Sequence, residues 1–210
     1  NSCNLGSIDV SKFYNEEKSD IDWSSFKDAI RTAVQFLDNV IDVNKFPTPD
    51  FKEAALKNRP IGLGIMGFAD LLLKMKIAYG SEKSISFARK LGKFLYNEAH
   101  NKSVELGKVR GTPECCRFKE LEFRRNVTLI SIAPTGSISL IAGCSSSIEP
   151  VFSAMTYRED NTGKYEMLHP DAKSDYFKCA IGGKDKNKIT WQQHIEIQAA
   201  FQENCCSGIS

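Results

Sequence analysis

At 210 residues, with 41% hydrophobic and 26% charged residues, the chain has the composition of an ordinary globular protein and enough apolar material for a normal core. A formal net charge of +2 is too small to argue for nucleic acid or a membrane surface as a partner, and no apolar run approaches the roughly 18 residues of a membrane span. Seven cysteines, four of them in two adjacent pairs, lack the spacing of a secreted disulfide framework and favour a reducing cytosol, a cytoplasmic setting.

In chain order, residues 1–14 read as extended, with Leu5, Ile8, Val10 and Phe13 as apolar anchors. Asp22 is a candidate N-cap for a helix whose Trp23, Phe26, Ile30, Ala33, Val34, Leu37, Val40 and Ile41 recur at spacings of three and four. Pro47 and Pro49 end it. A second helix is expected from 60 to 75. Its apolar residues run from Ile61 through Leu73 and cover every side, so it should be buried all round. Ser81 caps a third helix, with Ile85, Ala88, Leu91, Leu95 and Ala99 facing inward and Gly107 and Gly111 marking its end.

Residues 127–133, Val-Thr-Leu-Ile-Ser-Ile-Ala, are short, β-branched and apolar, and read as a strand buried on both faces. Pro134-Thr135-Gly136-Ser137 breaks it, 138–142 starts a short helix, and 151–157 is a further candidate strand. Residues 158–188 are polar and weakly patterned, a surface excursion. Thr190 caps a last helix carrying Trp191, Ile195, Ile197, Ala200 and Phe201. Helices interleaved with short buried strands give an α/β architecture. The opening Asn1-Ser2-Cys3, with no initiator Met or signal core, and the stop straight after a helical pattern read as cuts, so an internal piece of a longer polypeptide is expected.

Gly62-Leu63-Gly64-Ile65-Met66-Gly67 spells G-x-G-x-x-G, but a dinucleotide fingerprint needs a strand just before its first glycine, and Asn58-Arg59-Pro60 is not one. Close packing of small residues is the better reading. Cys115-Cys116 and Cys205-Cys206 lack the spaced ligands of a zinc site, because adjacent side chains rarely converge on one tetrahedral ion. His100, His169 and His194 default to surface or packing roles, so no metal is expected. Ala133-Pro134-Thr135-Gly136-Ser137-Ile138-Ser139 combines hydroxyls and a glycine between a strand and a helix start. That suits a phosphate, since first-turn N–H groups lack internal partners and the helix dipole favours an anion. A plain capped turn is the alternative. Cys3 is either a small buried side chain or a functional thiol.

Four segments in order carry a resemblance: Ser2-Cys3-Asn4-Leu5-Gly6-Ser7-Ile8; Arg59-Pro60-Ile61-Gly62-Leu63-Gly64-Ile65-Met66-Gly67-Phe68; Ala133 to Ser139 with Ser147-Ile148-Glu149-Pro150; and Gln198-Ala199-Ala200-Phe201-Gln202. Together they resemble the second half of the ribonucleotide reductase catalytic barrel. The Pro-Thr-Gly-Ser form of the loop is most similar to the adenosylcobalamin-dependent class. The resemblance implies part of a ten-stranded α/β barrel over residues 1–210. It also implies radical 2′-deoxygenation of a ribonucleoside di- or triphosphate. Cys3 matches one member of the redox-active cysteine pair. Pro134, Thr135, Gly136, Ser137, Ile138 (through its backbone) and Ser139 match the substrate-phosphate loop, and Ser2 and Asn4 are expected as substrate neighbours. The radical-bearing cysteine, its glutamate and the partner of Cys3 are expected upstream, within the same subunit. A thioredoxin- or glutaredoxin-type reductant and a homodimer are implied as well. Cys144, Cys179 and the adjacent pairs match no functional position. Two rivals remain: a separate phosphate-binding module using the same loop, and a helical interaction domain in which the loop is only a cap.

Overall fold

The computed structural model describes residues 3–121, 123–160, 163–181 and 187–210. Strand β1 (Asn4–Asp9) is followed by a one-turn 3-10 helix and a minimal antiparallel pair, β2 (Tyr14–Asn15) and β3 (Asp20–Ile21). Helix α1 (Trp23–Val43) starts where Asp22 accepts hydrogen bonds from the N–H groups of Ser24 and Ser25, satisfying two of its orphan donors. Its predicted stripe is its buried face: Phe26, Ile30, Val34, Leu37 and Ile41.

The next segment departs from expectation. Pro49 does not simply end a helix; it occupies the first turn of a new one, α2 (Pro49–Asn58). Proline is tolerated there because its missing N–H would have no partner anyway. Arg59 then turns the chain at φ 45, and residues expected as a helix from 60 onward form strand β4 (Ile61–Met66). Only Phe68–Lys74, now α3, is helical. The physical reason is that a run apolar on all sides fits a parallel strand covered on both faces as well as it fits a buried helix. All six residues of β4 are buried. The glycine motif therefore lies on a strand, with Gly67 as the left-handed N-cap of α3 at φ 74; close packing remains its role.

β4 pairs in parallel with β1, Asn4 opposite Ile61 through Asp9 opposite Met66. On its other side runs the expected strand around 127–133, reduced to a single parallel bridge, Leu63 to Ile130, with hydrogen bonds from Ile61 N to Thr128 O (3.2 Å) and Leu63 N to Leu129 O (2.8 Å). Residues 207–210 add a fourth ribbon: Ile132 bridges Ile209 in parallel, and Ser210 N donates to Ile132 O at 2.9 Å. The result is one all-parallel layer in the order β1, β4, 128–132, 207–210.

Helix α4 (Glu82–Arg110), capped by Ser81, and α6 (Trp191–Gln202), closed by a Thr190–Gln193 capping box, pack together on one side of this layer with α1. Leu91, Leu95, Ala99, Ile197, Ala200 and Phe201 are buried in that seam. Gly107 is inside α4 rather than at its end; Gly111 is the cap. A short helix α5 (Gly136–Ala142) follows the third ribbon. The candidate strand at 151–157 forms as β5 (Val151–Ser153) and the start of β6 (Met155–Asp160), but the segment expected as an unpatterned excursion, 158–188, also holds strands: β7 (Gly163–Leu168) forms a hairpin with β6, and β8 (Cys179–Ile181) pairs in parallel with β5. Among the described residues no helix is long and apolar enough to cross a membrane.

Candidate active site

Alternation along β1 sorts its side chains between two faces. Asn4 and Gly6 look toward α1: Asn4 Nδ2 donates to Leu37 O at 3.4 Å, and a Cβ added to Gly6 would meet Leu37 at 3.5 Å. Cys3, Leu5 and Ser7 look the other way. That face is kept open by the glycines of β4. A Cβ on Gly62 would stand 2.6 Å from Leu5 Cδ2, 2.9 Å from Ser131 Cβ and 3.5 Å from Cys3 Sγ, and one on Gly64 would come within 3.5 Å of Ser7 Oγ. Without side chains on β4, the thiol of Cys3 and the hydroxyls of Ser7 and Ser131 occupy one open surface.

The turn after the third ribbon closes over the same surface. Leu5, Gly6 and Ser7 with Ala133, Thr135, Gly136, Ser137 and Ile138 line a cavity of about 170 Å³. Cys3 does not line it; Leu5 stands between, and at the usual strand rise Cys3 lies about 13 Å from Ser7. The sulfur and the turn thus share a face of the layer, at different heights along one strand.

Within the turn the residues divide by role. Thr135 sits in the left-handed region at φ 57, uncommon for a β-branched residue. Its Oγ1 accepts from the buried N–H of Ser147, itself at φ 51, at 2.8 Å, so two left-handed residues hold each other. Ser139 is buried and turned inward, its Oγ 3.3 Å from Gly136 O and 2.9 Å from Ser146 Oγ. Pro134, Gly136, Ser137 and Ile138 are exposed. The N–H groups of Gly136, Ser137 and Ile138 occupy the first turn of α5, where helical geometry supplies no acceptor. Thr135 and Ser139 therefore shape the turn, while Ser137 and the first-turn N–H groups are free to meet a ligand. Asn4 turns its side chain toward α1, and Ser2 lies outside the described residues.

Sequence reasoning missed the buried charge cluster that ties the layer to its helices. Asp38, fully buried on α1, accepts from Arg59 Nε at 2.8 Å, Asn126 Nδ2 at 3.0 Å, Arg110 at 3.2 Å and Arg125 at 3.4 Å. Arg59 also grips Asp42 through two hydrogen bonds of 2.8 and 2.9 Å. Burial opposes ionisation of Asp38, but the hydrogen bond and charge of Arg59, the charge of Arg125 and the Asn126 amide outweigh it and hold its carboxyl below the usual range. The available signal was a charged residue, Asp38, falling on the apolar face of α1. Cys144 is the other unforeseen neighbour. Burial, then the charges of Asp9 and Asp70, push its thiol up to about 12, so it is a protonated, unreactive group.

A family model described as ribonucleotide reductase, barrel domain matches residues 1–124 and 122–210. The chain belongs to that family. A vitamin B12-dependent ribonucleoside-diphosphate reductase of Thermoplasma acidophilum is 38% identical over 240 aligned positions, covering all of this chain. A protein of the same description from Mycobacterium tuberculosis is 42% identical over 155 positions, or 72% of this chain. The ribonucleoside-diphosphate reductase subunit alpha of Chlamydia pneumoniae is 30% identical over 206 positions, or 79% of this chain. The chain spans 31%, 22% and 20% of these relatives, under a third of each. For a ribonucleotide reductase barrel segment, an all-parallel layer backed by helices is the expected local architecture, and none of the matches favours the rival readings of a stand-alone phosphate module or a helical interaction domain.

Proposed function

We propose that this chain, over residues 1–210, is part of the ten-stranded barrel of a cytoplasmic ribonucleoside-diphosphate reductase and carries its substrate-phosphate turn and one redox cysteine. What supports the reading is one juxtaposition within a family member: Cys3 and the turn at 133–138 open onto the same glycine-lined face of the parallel layer. The names of the relatives favour a diphosphate substrate.

In this reading the first-turn N–H groups of Gly136, Ser137 and Ile138, with the Ser137 hydroxyl, hold the anionic tail of the ribonucleotide. The sugar then extends along β1 past Leu5 toward Cys3. A thiyl radical from the rest of the subunit takes the 3′ hydrogen and the 2′ hydroxyl leaves as water. Cys3 and a partner cysteine elsewhere in the subunit supply two electrons and become a disulfide. A thioredoxin- or glutaredoxin-type dithiol reopens that bond by thiolate attack. The subunit works as a homodimer.

Vitamin B12 dependence of two relatives favours adenosylcobalamin as the radical source. Two of the larger recesses among the described residues, of about 330 and 390 Å³, lie beside Cys144 and beside Lys74, and neither shares a lining residue with the cavity at the turn at 133–138. When bound by residues elsewhere in the subunit, the cofactor would supply the radical.

The test is Cys3→Ser in the full-length protein. Multiple turnover with a dithiol reductant is expected to disappear while calorimetric binding of the ribonucleotide stays within a few-fold of the parent. Sustained turnover by this variant refutes the assignment.

A further inference from the structure

Adjacent cysteines are not expected to build a tetrahedral metal site, yet the two sulfurs of Cys115-Cys116 lie side by side. The pair sits in a single 3-10 turn, Glu114–Cys116, entered through Pro113. The turn is pinned by Cys116 N donating to Pro113 O at 2.9 Å and Arg117 N to Glu114 O at 3.1 Å. Cys115 is half-buried and directs its S–H to Lys57 O at 3.3 Å, at the end of α2. Cys116 is fully buried. Their sulfur atoms nevertheless face each other at 3.6 Å.

That separation discriminates between two fates for a dithiol. A disulfide needs the sulfurs at about 2.05 Å and normally spans Cα atoms at least about 4.4 Å apart. Neighbours across a trans peptide are only about 3.8 Å apart, so closing the bond would deform the turn. An atom bonded to both sulfurs requires no such movement. Bonds of about 2.3 Å from one centre place two sulfurs about 3.4 Å apart at a pyramidal angle of about 95° and about 3.8 Å apart at the tetrahedral angle, a range that brackets the 3.6 Å already present. Among the described residues no group of three or more His, Cys, Asp or Glu side chains assembles as a metal site. The occupant must therefore be satisfied by two thiols.

We propose that Cys115 and Cys116 form a chelating dithiol for a trivalent thiophilic centre, of which a monosubstituted arsenic(III) is the simplest case. Burial, then the neighbouring Cys115, push the Cys116 thiol up to about 12, so Cys116 meets the ligand as a thiol. With the arsenic as its dihydroxy form, each S–H gives its proton to one arsenic-bound hydroxyl. Two As–O bonds break, two As–S bonds form and two waters leave; arsenic stays trivalent and no electrons are exchanged. Cys115, the more accessible sulfur, bonds first, and Cys116 closes the ring. The other adjacent pair serves as an internal control: Cys205 Sγ is directed at the carbonyls of Ser207 (3.3 Å) and Ile130 (3.4 Å), while Cys206 is exposed.

The experiment uses the full-length protein, reduced, with phenylarsine oxide as the probe and bound arsenic counted by intact mass and peptide mapping. The expected result is an adduct on the peptide containing 115–116, reversed by 2,3-dimercaptopropanol but not by excess glutathione. Cys115→Ser, at a half-buried position that should not disturb folding, lowers the stoichiometry by one arsenic per chain; Cys115→Ala does the same. Thermal melts of both variants check that the fold persists. An unchanged stoichiometry in these variants, an adduct confined to 205–206, or a Cys115 adduct that glutathione removes overturns the proposal. Because arsenic binding and not turnover is read, its failure is distinguishable from failure of the reductase assignment.

Discussion

At the scale of single residues, the turn at 133–139 separates shape from contact. Thr135 holds a left-handed backbone, a conformation costing about 1–3 kcal/mol, and its hydroxyl accepts from the buried N–H of Ser147. Thr135→Ala keeps the strained backbone and removes the acceptor. The orphaned N–H should lower stability by about 1–3 kcal/mol in urea unfolding, whereas Thr135→Ser, which keeps the oxygen, should cost under about 1 kcal/mol. Equal losses for the two would show that the hydroxyl is not what holds the turn. Ser137 behaves oppositely. It is exposed, so Ser137→Ala should leave unfolding unchanged while weakening ribonucleotide binding about tenfold, the equivalent of one hydrogen bond to a charged group. Isothermal titration of the full-length variant checks this, and unchanged affinity would remove Ser137 from the phosphate site.

At the scale of elements, β4 is where the chain was hardest to read and where substitution is most informative. Its apolar run has no polar face, so periodicity could not separate helix from strand; alternation of Gly62 and Gly64 was the available sign of a strand with one open face. Helices α1, α4 and α6 were legible because caps and three-and-four spacing coincide at Asp22, Ser81 and Thr190. Cys3 and the turn were legible as motifs, but their common face was not, because it depends on which strand lies between them. The two glycines predict different damage. A Cβ on Gly64 meets the backbone oxygen of Ser131 at 2.7 Å, so Gly64→Ala must part β4 from the third ribbon and should cost several kcal/mol, on the order of the overpacking penalty or more. At Gly62 one obstacle, Leu5 Cδ2 at 2.6 Å, is a side-chain tip that can rotate away, and the other, Ser131 Cβ at 2.9 Å, yields only to a small shift of its backbone. Gly62→Ala should fold, lose about 1–3 kcal/mol, and lose turnover disproportionately by crowding Cys3. Circular-dichroism melts paired with turnover would distinguish them.

The same scale accounts for the Asp38 cluster, which joins α1, the start of β4, the end of α4 and the segment at 125–126. Asp38→Ala leaves three guanidinium groups without their shared carboxylate and should cost about 3–5 kcal/mol. Its folded carboxyl lies below its unfolded value of about 3.9, so its contribution is complete above that pH. It fades as pH falls through the lower, folded value. Urea midpoints should therefore drop steeply below about pH 4 in the parent protein and less steeply in Asp38→Asn. Parallel curves for the two would show that Asp38 carries no acid-sensitive stability.

At the scale of the whole molecule, helices cover one side of the parallel layer, whereas on the other β4 is buried by its neighbours' own groups and Leu5 of β1 is left bare. Leu5 is 54% exposed on the open face of β1, and Leu140, Ile141 and Phe152, on and beyond α5, are 82%, 86% and 68% exposed. Leu140 and Phe152 line one open recess and Leu5 lines another with Ile138, and contiguous exposed apolar groups of this kind mark a surface that a partner segment can cover. Among the described residues β1 is also the outermost strand of its layer, and its edge offers backbone groups with no strand partner there. If the chain is one part of a closed barrel, as we propose, the remaining strands would cover both. The 210-residue chain produced alone has no such cover and should self-associate at micromolar concentration, visible as concentration-dependent sedimentation. Leu140→Lys with Ile141→Lys changes two of the most exposed apolar positions without touching the buried core. It should shift the distribution toward monomer while leaving the helical signal intact. If the unmodified chain sediments as a single monomeric species that unfolds cooperatively, the bare face is stable in water and needs no partner segment to cover it.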